Sequence, residues 1–338
     1  MTASLPTAPD VTTGAPHPRR ILMAGATGTI GRATLRALVA RGQTVTCLVR
    51  PNGAAARAAW PAGVTVRTVD VTNPRAVLDD GVRGETFDAV VSCMASRSGD
   101  PQDAWAIDHR AHSHLLAAAR AAGAAHFVLL SAICVQKPML AFQHAKLAFE
   151  AELQASGLRY SIVRPTAFFK SLAGQVERVK QGKPFLLFGD GTLTACTPIS
   201  DDDLADYLAG CLDEPTRWDR ILPIGGPGPA FTPREQGERL FALLGRPPKF
   251  KSVPVAMMDV IVGVLGTLGA IIPPLRAKAE FARIGRYYAT ESMLVWDAAR
   301  GRYDEAATPQ HGTETLFDYY ARLVRGEAAA ERGEHAVF

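Results

Sequence analysis

Short, uniformly apolar runs alternate with amphipathic segments along the first half of the chain. Six apolar runs predict β-strands: RILMAG, TVTCLVR, VTVRTVD, FDAVVSCMA, HFVLLSA and YSIVRP. Strands without polar alternation are covered on both faces, as in a parallel sheet flanked by helices. Helical periodicity predicts the helices between them, at TIGRATLRALVARG, at 105–122 and at FQHAKLAFEAELQASG. We therefore predict an α/β fold with a Rossmann-type, doubly wound parallel sheet.

The pattern weakens after Pro165. FLLFGDGTLTACTPIS predicts two short strands around a Gly-Asp-Gly turn, and SDDDLADYLAGCL and TPREQGERLFALLG predict capped helices. We expect this part to complete the sheet and to form a smaller substrate lobe over its carboxyl edge.

One stretch, Val253 to Leu275, is apolar enough to raise the question of a membrane span. It carries Asp259, several glycines and a Pro-Pro pair, and a span needs about 20 continuous apolar residues. We expect a buried helix, a helix that lines an apolar pocket, or one that touches a membrane surface.

The composition of the 338 residues is that of an ordinary globular protein, with 47% hydrophobic and 21% charged residues. A net charge of +4, with no basic run, gives no support for nucleic-acid binding. The five cysteines form no CxxC pair, and the first 19 residues lack the apolar segment of a secretory signal. We predict a cytoplasmic protein, with peripheral membrane contact left open.

The sequence GATGTIG lies directly between the first strand and the first helix. Glycines there permit a tight turn and let the backbone approach a pyrophosphate, which the N–H groups of the helix then bind. We predict a dinucleotide site made by Gly25, Thr27, Gly28, Thr29, Ile30 and Gly31.

The second strand ends at Arg50, where an NAD-specific protein usually carries an acid for the ribose 2′-hydroxyl. A guanidinium suits a 2′-phosphate, so we predict NADPH rather than NADH. Arg32, just after the third glycine, either assists in binding the cofactor or is a surface arginine of the helix. Asp70 and Val71 end the third strand and are predicted to touch the adenine, unless Asp70 only caps its loop.

The spacing of Phe142 and Lys146 places both residues on one helix face, downstream of Ser131. With the fold pattern, it resembles the Ser, Tyr and Lys of the short-chain dehydrogenase/reductase superfamily, especially its atypical, NmrA-like branch. The resemblance implies that Ser131, Phe142 and Lys146 occupy the catalytic positions, that Lys146 contacts the nicotinamide ribose, and that Pro165 borders the cofactor. Phe142 departs from the superfamily because it cannot donate a proton.

A more specific resemblance covers LLSAICVQKPMLAFQHAKLAFEAEL, YSIVRPTAFFKSL and GDGTLTACTPIS. These segments are similar to the divinyl chlorophyllide or protochlorophyllide 8-vinyl reductase family of (bacterio)chlorophyll biosynthesis, in which the phenylalanine is expected. The resemblance implies NADPH-dependent reduction of the 8-vinyl group of a magnesium tetrapyrrole to ethyl. The exact tetrapyrrole stays open.

Reduction of a vinyl group explains why Phe142 can stand where the superfamily has a tyrosine hydroxyl. Hydride added to a vinyl group conjugated to a macrocycle leaves negative charge in the ring system, so no alkoxide needs an acid beside it. Phe142 is then expected to line a dry slot, or simply to pack in the core. The proton donor is left open among Lys146, Lys137, His144 and water.

A flat apolar substrate requires a wide apolar pocket, which we expect Phe142, Phe168 and Phe169 to line. Lys170 or Arg164 can meet its carboxyl groups. No metal-ligand cluster is present in the sequence, so we predict no protein-bound metal beyond the one in the substrate.

Four segments are expected: a disordered extension over 1–19, an NADP-binding domain over 20–165, a substrate lobe over 166–325 and a flexible tail over 326–338. Two other functions remain open at this point. One is a different NADPH-dependent reductase of the same atypical branch. The other is an NmrA-like sensor that binds NADP without chemistry.

Overall fold

Seven parallel strands form the central sheet. The computed structural model describes residues 18–51, 60–97, 100–272 and 275–328. The strand order is β3-β2-β1-β4-β5-β6-β8, so the chain reverses direction across the sheet beside β1, as in a doubly wound fold. The strands of this sheet are β1 (Arg20–Ala24), β2 (Thr44–Val49), β3 (Thr65–Thr68), β4 (Ala89–Ser92), β5 (His126–Leu130), β6 (Arg159–Pro165) and β8 (Arg220–Ile224). The predicted Rossmann-type sheet is confirmed.

Two small sheets lie outside the central one. β7 (Phe185–Phe188) pairs with β9 (Phe250–Val253), and β10 (Val295–Asp297) pairs with β11 (Arg302–Asp304). The second strand predicted in FLLFGDGTLTACTPIS does not form. The residues after β7 make only isolated bridges, such as that of Cys196 with Phe231.

Helices cover both faces of the sheet and build the C-terminal lobe. Their bounds are α1 (Thr29–Ala40), α2 (Pro74–Ala76), α3 (Pro101–Ala104), α4 (His112–Ala121), α5 (Ala141–Gln154), α6 (Phe169–Leu172), α7 (Val176–Lys180), α8 (Asp201–Gly210), α9 (Pro233–Leu243), α10 (Val255–Ile271), α11 (Leu275–Thr290) and α12 (Leu316–Arg325). The Ser200 hydroxyl caps α8, and Thr232 with Glu235 forms a capping box on α9, as their sequences predict.

The helix predicted over 105–122 is not continuous. Residues Trp105–Ala111 form a π-helical segment between α3 and α4. A π-helical turn holds an extra residue and changes which side chains face inward, and such turns are frequent at functional sites. Here the segment carries Asp108, which is 1% exposed.

Apolar side chains of the strands form one core on each face of the sheet. Leu22, Val90 and Phe127 belong to one cluster, and Ile21, Val91 and Val128 belong to the other. This is the two-sided burial that uninterrupted apolar strands require. A third cluster, which includes Phe185 and Tyr320, lies in the C-terminal lobe.

Helix α10 is neither the buried helix nor the pocket-lining helix that were two of the three expectations for its sequence. Its apolar side chains are exposed rather than buried, with Val260 at 64% and Ile271 at 77%. Among the described residues, α11 and not α10 contributes to the main cavity of the molecule. No helix within the described residues has the length and apolar content needed to cross a bilayer. Residues 1–17 and 329–338, which carry most of the two predicted flexible ends, lie outside the described residues.

Candidate functional site

The three glycines of the first turn have different surroundings. A Cβ on Gly31 would lie 2.0 Å from the Gly25 carbonyl oxygen, and one on Gly25 would lie 2.4 Å from the backbone of Cys93. Gly25 also has a φ of +82°, which favours glycine. At Gly28, by contrast, the nearest atom would be 3.7 Å away. Gly25 and Gly31 therefore allow the turn itself, whereas Gly28 leaves open space above it for a ligand.

The N-terminus of α1 can receive an anion. Gly28 is its N-cap and offers no side-chain cap, and the first turn carries no acidic residue. The free N–H groups and the helix dipole therefore favour negative charge at this end. The Lys170 ammonium lies 2.9 Å from the Thr29 hydroxyl and adds a positive charge. Lys170 was expected at a substrate carboxyl group, but in the structure it lies beside the glycine turn.

Thr27 and Ile30 occupy the remaining positions of the predicted loop. The carbonyl of Thr27 accepts a hydrogen bond of 3.2 Å from the Arg32 guanidinium, so Arg32 braces the turn. Ile30 packs against the apolar cluster on that face of the sheet. Both residues therefore support the shape of the loop through contacts within the protein.

Arg50 follows β2 directly and is exposed, as a residue that meets a 2′-phosphate must be. Asp70 is used locally, because its carboxylate accepts hydrogen bonds from the backbone N–H and the hydroxyl of Thr72. These bonds lower the pKa of Asp70. Val71 is buried, and its carbonyl oxygen lies 3.2 Å from Nδ1 of His114. The loop-cap interpretation of Asp70 is thus the one that its contacts favour.

Lys146 lies at the centre of the site and is fixed by a residue that the sequence analysis did not identify. Its Nζ is 3.0 Å from Oδ1 of Asp108, and the two side chains are 11% and 1% exposed. The other carboxylate oxygen of Asp108 accepts a bond of 2.5 Å from the Ser96 hydroxyl. A buried carboxylate with two partners holds the ammonium in one position.

A second buried carboxylate orients Ser131. The Ser131 hydroxyl donates to Oε1 of Glu150 at 2.5 Å, and the same carboxylate forms an ion pair with Arg164. Arg164 is therefore committed inside the protein rather than available to a substrate carboxyl group. The hydroxyl of Ser131 is likewise committed to Glu150, although Ser131 borders the cavity.

A cavity of about 360 Å³ extends from Lys146 into the C-terminal lobe. Phe142, Pro165 and Phe168 line it, together with Ser131 and Lys146. Phe169 does not, which corrects its predicted place: it is 4% exposed and packs in the core of the lobe with its ring 5.8 Å from that of Tyr319. Consecutive residues at the start of a helix face different directions, so only one of the two phenylalanines reaches the cavity.

Helix α11 forms the far wall of the cavity. Ile284, Gly285, Tyr288 and Ala289 line it there, and Glu280 and Glu291 border it as well. Glu280 accepts from the N–H of Ala141 at the start of α5. No local pattern predicts this contact, which joins residues 139 positions apart in the sequence.

The thiols at the cavity stay protonated near neutral pH. Cys134 and Cys196 both line it, and burial raises the pKa of Cys196 to about 12 and that of Cys134 in the same direction. A thiolate is the nucleophilic form of cysteine, so covalent thiol chemistry is disfavoured here.

Comparisons with known proteins agree with this geometry. Residues 25–215 match the family described as NAD(P)H-binding. The "Divinyl chlorophyllide a 8-vinyl-reductase, chloroplastic" of Oryza sativa subsp. indica is 50% identical over 337 residues, which cover 96% of this chain and 83% of the relative. The protein of that name from Arabidopsis thaliana is 48% identical over 348 residues, which cover 98% and 83%.

The solved structures support the fold. An NADPH-dependent quinone oxidoreductase from Escherichia coli, complexed with NADPH, superposes with a TM-score of 0.66 at 19% identity. The match covers 90% of this chain and 99% of that one. At such low identity the likeness concerns the fold alone.

Proposed function

The chain belongs to the NAD(P)H-binding family and, within it, to the divinyl chlorophyllide a 8-vinyl-reductases, and from this we propose that it reduces the 8-vinyl group of divinyl chlorophyllide or protochlorophyllide to ethyl with NADPH. It is thus an oxidoreductase that acts on a carbon–carbon double bond in chlorophyll biosynthesis. The membership rests on about half of all positions being identical along most of both chains.

The observation that carries the proposal is the place of Lys146. Its ammonium is fixed at the mouth of a largely apolar cavity, on the same helix face as Phe142. In the superfamily that the motif resembles, the lysine orients the nicotinamide ribose, so the cavity beyond it is where a substrate meets the cofactor. An apolar cavity suits a tetrapyrrole, which is flat and mostly hydrocarbon.

The residues around the glycine turn fit a dinucleotide phosphate. The open space at Gly28 and the uncapped start of α1 fit the pyrophosphate, to which Lys170 adds charge. Arg50 fits the 2′-phosphate, and Lys146 fits the nicotinamide ribose. When bound, NADPH supplies a hydride, which is one hydrogen with two electrons.

Phe142 suits this reaction better than a tyrosine would. Carbonyl reduction creates an oxyanion that a hydroxyl must stabilise, whereas a conjugated vinyl group places the charge in the macrocycle. A ring that lines an apolar slot contributes by excluding water and by holding the reacting atoms close together. Phe142 packs against the apolar cluster that includes Ile133, Cys134 and Leu140, which gives the ring a fixed position.

The exposed face of α10 supports a peripheral contact with a membrane surface as part of the same proposal. Its apolar side chains form one helical stripe: Met257, Val260, Ile261, Val264, Leu268 and Ile271. The adjoining helix α11 presents exposed Arg276 and Lys278, which suit anionic headgroups. α11 also lines the cavity, so one helix would connect the lipid-facing surface with the proposed substrate site.

The proposed function is tested with purified protein, NADPH and divinyl chlorophyllide. We expect a blue shift of the Soret band together with NADPH consumption. Tight binding of NADP without turnover of any pigment or enone would instead indicate a sensor. Reduction of an unrelated enone while the pigment stays unchanged would indicate another reductase.

A further inference from the structure

Reduction of a vinyl group requires a proton as well as a hydride, and the residues considered from the sequence are poorly placed to give it. Lys137 forms an ion pair of 2.5 Å with Glu291 and lies over the ring of Trp296. His144 is exposed on α5 and does not line the cavity. Lys146 lines it, but its ammonium is held by Asp108.

Of the serine and threonine hydroxyl groups of the cavity wall, three have short hydrogen bonds to strong acceptors. Ser96 donates to Asp108 and Ser131 to Glu150, each at 2.5 Å, while Thr166 donates to the carbonyl of Thr197 at 2.6 Å. These protons are committed to strong oxygen acceptors. The Tyr288 hydroxyl has a different partner, the Cys134 sulfur at 3.8 Å. Thiol sulfur is a weak acceptor, so the phenol proton remains available to the cavity.

Tyr288 lines the cavity beside the segment that joins Ser131 to Phe142. Its hydroxyl contacts Cys134, which follows β5 three residues after Ser131. The Cys134 carbonyl accepts a bond of 3.0 Å from Gln143, the residue next to Phe142. Phe142 also packs against the apolar cluster that contains Cys134. Helix α11 therefore brings a phenol to the region where α5 presents only a phenyl ring.

We propose that Tyr288 donates the proton that completes the reduction, an assignment that rests on the proposed function. Hydride forms a C–H bond at the terminal vinyl carbon, and the π-electron pair of the vinyl group moves to the inner carbon as a carbanion that is delocalised into the macrocycle. The Tyr288 O–H bond then breaks, a C–H bond forms at the inner carbon, and the phenolate recovers a proton from water after the product leaves. One hydride and one proton are consumed for each ethyl group formed.

The surroundings of Tyr288 favour the protonated form of its phenol, although the residue as a whole is 37% exposed. Desolvation is the largest of the effects that raise the pKa of Tyr288 well above its ordinary value. The raised pKa favours the protonated phenol, which is the form that can donate a proton.

The test compares Tyr288→Phe with Tyr287→Phe, which removes the neighbouring hydroxyl. Tyr287 donates to the backbone carbonyls of Cys134 and Lys137, so its loss affects stability rather than the cavity. Tyr288→Phe keeps the ring and loses only a weak contact with sulfur, so we expect it to fold normally. NADPH binding is measured by fluorescence and pigment binding by absorbance, apart from any turnover.

Turnover by the unaltered chain is established first, so that a failure of the proposed function is recognised separately. In Tyr288→Phe we expect single-turnover reduction to slow about a hundredfold, which is typical for loss of a general acid, while both dissociation constants change by less than about threefold. Tyr287→Phe should keep the rate within about threefold and melt at a lower temperature. A Tyr288→Phe rate within about threefold of the original, or a loss of pigment affinity as large as the loss of rate, would overturn the assignment.

Discussion

Lys146 and Asp108 form a buried ion pair in the wall of the cavity, with Nζ 3.0 Å from Oδ1. Asp108 lies on a π-helical segment, and Lys146 lies on the neighbouring helix α5. In the short-chain dehydrogenase/reductase superfamily that the motif resembles, the lysine is the group expected at the nicotinamide ribose. In this chain its position depends on a carboxylate that no local motif identifies.

The first prediction concerns Asp108→Asn, which leaves the shape but removes the charge. Loss of one partner of a buried pair leaves the other uncompensated, so the free energy of unfolding should fall by about 3 kcal/mol. The rate of pigment reduction should fall at least about tenfold because Lys146 loses its anchor. Urea unfolding and single-turnover kinetics measure the two effects.

The control is Glu177→Gln, which removes a surface ion pair with Lys180 and should change the free energy of unfolding by less than about 1 kcal/mol. Equal effects of the two variants would contradict the role given to Asp108.

The second prediction concerns Arg50→Ala and the choice of cofactor. Loss of a charged bond to the 2′-phosphate should weaken NADPH binding at least about tenfold and NADH binding by less than about twofold. Fluorescence titration gives both constants. Arg75→Ala removes an exposed arginine of α2 and should leave both unchanged. Parallel losses for the two nucleotides would remove the role assigned to Arg50.

The third prediction concerns Phe142→Tyr, which restores the superfamily hydroxyl. Because no oxyanion forms, the new hydroxyl has nothing to stabilise, and the rate should change by less than about fivefold. The protein should still bind NADPH, which fluorescence can verify. A folded, NADPH-binding variant without detectable turnover would show that Phe142 does more than line the slot.

The fourth prediction concerns pH and two buried histidines. Burial is the largest of the effects that lower the pKa of His112 and of His126 to about 4, from an ordinary value of 6.5. In the unfolded chain both take up protons below pH 6.5, whereas the folded protein takes them up only near pH 4. Stability is therefore complete above pH 6.5 and is lost on acidification, by about 2 kcal/mol for each histidine between pH 6.5 and pH 5. Urea unfolding at several pH values tests this, and His144→Gln, at an exposed site, should give the same profile. A free energy of unfolding that is constant over this range would refute the prediction.

The fifth prediction concerns the apolar stripe of α10. Val260→Asp combined with Val264→Asp puts two charges on the face proposed to touch lipid. Flotation with phosphatidylcholine vesicles that contain phosphatidylglycerol should show at least about tenfold less bound protein, while reduction of pigment in detergent is retained. Leu243→Asp, on α9, is the matched control, because Leu243 is exposed elsewhere on the molecule. Vesicle binding that is unaffected by the double substitution would exclude this surface.

Local sequence patterns predicted the features that depend on residues close together in the chain. The apolar runs around Met23 and Val128 predicted the buried strands, because an uninterrupted apolar segment must be covered on both faces. The glycine turn was predictable because only glycine fits at Gly25 and Gly31. Lys146 was predicted from its spacing relative to Phe142 on one helix face.

The partners of these residues were not predictable, because they depend on contacts between distant segments. Asp108 lies in an Ala-rich stretch whose periodicity favours an ordinary helix, whereas the structure places it on a π-helical segment with its side chain 1% exposed. Glu150 has the sequence appearance of a surface helix residue but is 1% exposed. Tyr288 follows Cys134 by 154 residues, and nothing local relates the two.

The most direct test of the account follows the hydride itself. NADPH that carries deuterium at C4 of the nicotinamide is given to the protein with divinyl chlorophyllide, and the product is examined by NMR and mass spectrometry. We predict one deuterium on the terminal carbon of the new ethyl group, and deuterium on the inner carbon when the solvent is D2O instead. A pigment that stays unlabelled and divinyl, while the deuterium appears on the carbinol carbon of an isolated ketone, would contradict the account.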